Sequence, residues 1–128
     1  MRSWIGVVAV VALLGCTNKL GGDLTLDGEK VEIESCRNGS VYGFRGVEVS
    51  AKSGARVRVA ATPTGEAHVF VMPKGAETGV ELGACGSFQV ADQKSTVNDV
   101  RNVEGKASLD CSAKGIAVKG SFTFENCH

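Results

Sequence analysis

Five cysteines and two histidines carry most of the chemical range of this chain. Cys16 follows an apolar run and is taken up with that run below. Cys36, Cys85, Cys111 and Cys127 remain as an even set, able either to hold a metal or to form two disulfides. Cysteine metal sites use closely spaced pairs, and the sequence has no C-x-x-C, so two disulfides and no metal are expected. A paired thiol supplies no thiolate, which makes these four residues structural rather than nucleophilic. Glu66 and His68 lie two apart, as two metal ligands on one strand face would, but no third ligand is apparent and an exposed alternating face accounts for them. Asp23, Asp27 and Glu29 lack calcium-loop spacing, and Asn38-Gly39-Ser40 matches only a glycosylation acceptor. There is no G-x-S-x-G elbow, H-E-x-x-H helix or phosphate loop. The expectation is a protein that is not an enzyme and needs no cofactor.

Cys16 belongs to a different kind of chemistry. Arg2 supplies a positive charge, and Trp4 to Leu14 is an unbroken apolar run of eleven residues. That is too short for a membrane-spanning helix and the right length for the core of a secretory signal. The run closes as Leu13-Leu14-Gly15-Cys16, which resembles the lipobox of bacterial lipoproteins. The resemblance implies a diacylglycerol on the Cys16 thiol, cleavage between Gly15 and Cys16, and acylation, for example by palmitate, of the new amine. Two or three acyl chains, each buried methylene contributing ~0.8 kcal/mol, hold a protein on a bilayer for practical purposes permanently. The address is then the cell envelope, lipid-anchored. Thr17 stands where an aspartate would imply retention at the inner membrane, which favours the outer membrane.

The expected organisation is a signal peptide over 1–15, a lipidated cysteine with a polar, Gly-rich tether over 16–23, and one small domain over 24–128. The whole chain has 14 basic and 14 acidic residues, and loss of Arg2 leaves one acidic residue in excess. No basic face emerges, so no nucleic-acid partner is expected. Arg56 and Arg58 alternate with Val57 and Val59 and are expected on a solvated strand face.

Periodicity is β almost throughout. Leu24 to Leu26 and Val31 to Glu34 flank Asp27-Gly28, a dipeptide that tolerates positive φ, and predict a hairpin with Glu32 and Glu34 toward water. A third strand is expected from Ser40 to Val49, bent at Gly43 and Gly46. Arg56 to Ala61 and Ala67 to Met72 form the next pair, joined by Thr62-Pro63-Thr64-Gly65. Further strands are expected at Val80 to Leu82, Gly86 to Ala91, Val103 to Cys111, and Ile116 to Glu125 with a kink at Gly120. No segment longer than ten residues holds a 3.6-residue apolar period. Short strands without βαβ alternation predict an all-β domain, a small antiparallel sandwich or barrel, with Phe44, Phe70, Phe88, Phe122 and Phe124 as core or interface residues.

The strands constrain the cysteine pairing. If Ala113-Lys114-Gly115 is a hairpin turn, Cys127 lies roughly 30 Å along the returning strand from it, at ~3.3 Å per residue, so a Cys111–Cys127 bridge would need a severe bend. Cys85 and Cys111 are equidistant from Asn98, and Asn98-Asp99 can form the apex between their strands. The preferred pairing is therefore Cys85–Cys111 with Cys36–Cys127, although three connectivities are formally open.

One stretch names a partner. Ser50-Ala51-Lys52-Ser53-Gly54-Ala55-Arg56, then Val69 to Glu77 and Cys85, resembles the inhibitory loop and following strand of membrane-bound C-type lysozyme inhibitors, which are small β-barrel lipoproteins. The resemblance implies that Ser53 enters the lysozyme cleft and Lys74 engages an active-site carboxylate. Val57 replaces the aromatic after the loop, Met72 or Pro73 replaces a tryptophan, and Gly86 to His128 has no counterpart. The expected function is a lipid-anchored, non-enzymatic envelope protein with a binding or structural role and a possible protein ligand. The alternative is a lysozyme-inhibitor-like protein.

Overall fold

A computed structural model describes residues 18–128. Cys16 and the segment before it lie outside the described residues. Alternating sequence, frequent turn residues and glycine produce nine antiparallel strands: β1 (Lys19–Leu26), β2 (Glu29–Lys30), β3 (Ile33–Asn38), β4 (Gly46–Ala51), β5 (Arg56–Ala61), β6 (Glu66–Met72), β7 (Val80–Val97), β8 (Val100–Ala113) and β9 (Ile116–Cys127). They form one sheet, ordered β2-β1-β9-β8-β7-β6-β5-β4-β3, which curls into a half-barrel. Of the two architectures open to the sequence, the barrel-like one is the arrangement found.

Three hairpins turn on dipeptides whose residues both have positive φ: Asp27-Gly28, Asn98-Asp99 and Lys114-Gly115. Such turns match the right-handed twist of the strands they join. The curl itself needs close strand approach. At Gly22, φ is +119° and an added Cβ would stand 2.2 Å from the Ser121 carbonyl oxygen; at Gly120, φ is +114° and the distance to the Asp23 oxygen is 1.9 Å. Glycine is the residue that fits at both, and these kinks bend β1 against β9.

The concave face is the core. Val47, Val59 and Val69 make one cross-strand row, and Val49, Val57 and Val71 the next. Phe88, Phe122 and Phe124 fill the centre, with Phe88 and Phe124 stacked at 5.8 Å between centroids. Phe44 and Phe70 lie elsewhere, on the outer face, as their half-exposure and their arginine and histidine neighbours show.

Two disulfides staple the sheet. Cys85–Cys111 joins β7 to β8, and Cys36–Cys127 joins edge strand β3 to β9. The second closes the molecule across its open side. Asn18 works beside it: its side chain accepts from the Cys36 amide (3.0 Å) and donates to the Asn126 carbonyl (2.7 Å).

Four expectations are corrected. The Asp27-Gly28 turn forms, but its returning strand is only Glu29–Lys30; Val31 and Glu32 lie outside any strand, and Ile33 and Glu34 open β3, which pairs with β4 at the other edge of the sheet and not with β1. Lys19 to Asp23 is no tether but the first half of β1, fully registered against Ser121 to Glu125, because backbone pairing needs no apolar side chain. The segment expected as one strand from Ser40 to Val49 begins as a 3-10 turn, Gly39–Tyr42, capped by the Asn38 side chain, which accepts from the Ser40 amide, and ended by left-handed Gly43. Residues 80–97 make one strand rather than two, carried past Gly83 and Gly86 by pairing first with β6 and then with β8.

Candidate functional site

The antiparallel order sorts the connections into two ends. One end carries Asn18, His128, the 3-10 turn and the Asn98-Asp99 tip, which surround one open cleft of about 350 Å³. The opposite end carries the turns at Asp27-Gly28 and Lys52 to Gly54 and the loop from Pro73 to Gly79, with a second cleft of about 330 Å³ between Leu26, Val31, Lys52 and Ser53.

Ser53 and Lys74 both occupy that second, distal end. Ser53 is exposed, and its hydroxyl accepts from the Ala55 amide at 3.4 Å, which shapes the turn. The Lys74 stem lies over Gly54, so close that a Cβ there would stand 3.2 Å from the lysine Cγ. Lys74 is exposed and has no carboxylate partner among the described residues. Two segments twenty residues apart therefore present a hydroxyl turn and a free ammonium on one rim. Lys52 reaches Glu32 only at 4.0 Å between two exposed groups, an ion pair of little energetic weight.

The outer face of β3 to β7 holds an arrangement invisible in the strand pattern. Glu48 is buried, its side chain 3% exposed, and accepts from Arg56 Nη1 (3.3 Å), Arg58 Nη2 (2.8 Å) and Arg58 Nε (3.3 Å). Arg58 in turn lies over two rings, with its guanidinium carbon 5.1 Å from the Tyr42 centroid and 4.9 Å from that of Phe44. Arg37 donates to the Tyr42 hydroxyl at 2.5 Å, and that hydrogen bond holds the Arg37 pKa above its ordinary value. A planar guanidinium that lies against two neighbouring rings and hydrogen-bonds a carboxylate through two of its nitrogens is something lysine could not reproduce. Arg56 and Arg58 do face outward as expected, but they clamp a buried acid rather than standing in water.

His68 Nε2 donates to Glu81 Oε1 at 3.0 Å and packs on Phe70 at 5.0 Å, and Glu66 and His68 stand on the outward side of β6, to either side of buried Ala67, in the alternation expected of them. Among the described residues no three His, Cys, Asp or Glu side chains are placed to hold one metal ion. The four domain cysteines are consumed in the disulfides. The clearest polarised feature is the contrast between the two ends. No family model, no curated protein and no solved structure matches this chain.

Proposed function

We propose that this chain is a lipid-anchored, non-enzymatic protein of the bacterial envelope, favouring the outer membrane, that displays the distal rim of a disulfide-stapled half-barrel to a protein partner. The observation that carries the reading is the separation of its ends. Asn18, two residues from Cys16, is fixed by two hydrogen bonds at one end, and Ser53, Gly54 and Lys74 gather at the other. Anchoring by Cys16 then turns the rim toward the aqueous space. Two disulfides accord with an oxidising compartment. Cys16→Ala tests the anchor: the reading expects a product that is unprocessed or released, and a variant that partitions into detergent like the parent refutes it.

A second reading, a lysozyme-inhibitor-like protein, is favoured by one specific observation, the packing of Lys74 against the Ser53-Gly54 turn. Inhibition requires the turn to enter a cleft while the ammonium meets a carboxylate. Truncating a central contact of that kind costs 2 kcal/mol or more as a rule, roughly thirtyfold in affinity. Micromolar protein that leaves cell-wall lysis by a C-type lysozyme undiminished ends this reading and leaves the general one intact.

A further inference from the structure

We infer that the end of the half-barrel bearing Asn18 rests on the lipid surface itself, with Val41 and Tyr42 seated in the headgroup layer. The inference rests on the lipidation of Cys16 and adds an orientation to it. The first observation is reach. Asn18 is clamped between β3 and β9, and two residues span at most about 7 Å, so acyl chains on Cys16 would hold this end against the bilayer. A long tether would have left the domain free to tumble, and the pairing of β1 from Lys19 onward removes it.

The second observation is what that end displays. Val41 and Tyr42 are the large hydrophobic side chains exposed among the described residues, at 57% and 40%. Both lie on the 3-10 turn, and Val41 lines the same cleft as Asn18, Arg37, Val97, Val100 and His128. A tyrosine with an apolar ring and a hydrogen-bonded hydroxyl is suited to the boundary between hydrocarbon and water.

Charge points the same way. Lys19 pairs with Glu125 and Arg45 with Asp92. Lys94 and Arg101 are exposed and have no carboxylate partner among the described residues, and exposed Arg37 stands across from Glu48, an acid already held by Arg56 and Arg58; against these the tip carries one exposed acid, Asp99. A modest positive surplus around an apolar pair complements anionic headgroups. A soluble partner would have no reason to meet a surface that the anchor already presses toward lipid.

The test uses the full lipidated protein in phosphatidylcholine–phosphatidylglycerol vesicles containing 6,7-dibrominated phosphatidylcholine, which quenches indole at shallow depth. Processing removes Trp4, the one tryptophan of the chain, so the parent supplies the blank. Tyr42→Trp and Val41→Trp report on the proposed contact, the second guarding against a misfolded first, and Glu77→Trp reports on the distal loop. The expected result is quenching at 42 and 41 at least about threefold stronger than at 77. Protein that floats with the vesicles yet shows equal quenching at both ends overturns the orientation while sparing the anchor. Shielding of position 42 from acrylamide without bromolipid quenching assigns the patch to a protein, or to a second copy of this chain, and likewise overturns it. Protein that fails to float overturns the anchor and the orientation together.

Discussion

Removing the Cys36–Cys127 bridge should damage this protein more than removing Cys85–Cys111, and in a different place. The bridges close loops with sequence separations of 91 and 26 residues. Chain-entropy arithmetic gives about 4.6 kcal/mol for the longer loop and about 3.5 kcal/mol for the shorter, the longer falling to about 4.3 kcal/mol when the shorter is already closed inside it. Either value is a large part of the 5–15 kcal/mol typical of a whole domain. The structural consequences diverge further. β7 and β8 remain zipped by backbone pairing from Gly86 and Leu109 to Val97 and Val100 without their bridge, whereas β3 meets β9 through the bridge and the Asn18 side chain. Cys36→Ala with Cys127→Ala should therefore free the β3 edge, and Cys85→Ala with Cys111→Ala should leave the β7–β8 hairpin protected. Urea unfolding gives the energies and amide hydrogen exchange gives the location. An unchanged β3 protection in the first variant, or a larger stability loss in the second, would refute the reasoning.

Glu48→Ala leaves two arginines without their acceptor, and because their side chains are 37% and 28% exposed, the loss should be about 2 kcal/mol rather than the 3–5 of a fully buried pair; a chemical-denaturation midpoint equal to the parent's contradicts the clamp. Gly120→Ala should cost more than Gly28→Ala, since the new Cβ meets the Asp23 oxygen at 1.9 Å in the first case and open space in the second; about 1 kcal/mol is expected at Gly28 from its φ of +85° alone, and equal losses would argue against a kink at Gly120. Ser53→Ala at its exposed turn should shift stability by about half a kcal/mol or less, so a larger loss would show the hydroxyl to be holding the fold instead of facing a partner.

The parts legible in the sequence are those governed by local pattern. Arg56 to Ala61 lies where its alternation places it, and the turns at Asp27-Gly28 and Ala113 to Gly115 follow from residues that accept positive φ, although the strand expected after the first of them, Val31 to Glu34, gives way to Glu29–Lys30. The disulfide pairing followed from hairpin geometry, since a turn at Lys114-Gly115 carries Cys127 away from Cys111. What escaped was set by tertiary partners. Gly21 and Gly22 read as linker because nothing in a Gly-Gly pair announces that β9 lies alongside. Val47-Glu48-Val49 falls at the end of the strand expected from Ser40, but nothing in that pattern marks Glu48 as buried: β5 brings Arg56 and Arg58 onto it, and the 3-10 turn from Gly39 to Tyr42 brings a ring against Arg58. Neither the cover nor the clamp is local, so no window of sequence contained them. The rim was half legible: Ser53 and Lys74 were singled out by resemblance, while their approach depends on two loops meeting at Gly54.

The claim on which the orientation, the rim and the address all depend is the lipidation of Cys16. Intact and N-terminal peptide mass spectrometry of the mature protein taken from membranes tests it most directly. The account predicts a chain that begins at Cys16, lacks residues 1–15 and carries the mass of a diacylglyceryl group with an amide-linked acyl chain. A mature form that retains residues 1–15, or one that carries an unmodified Cys16 thiol, would contradict it.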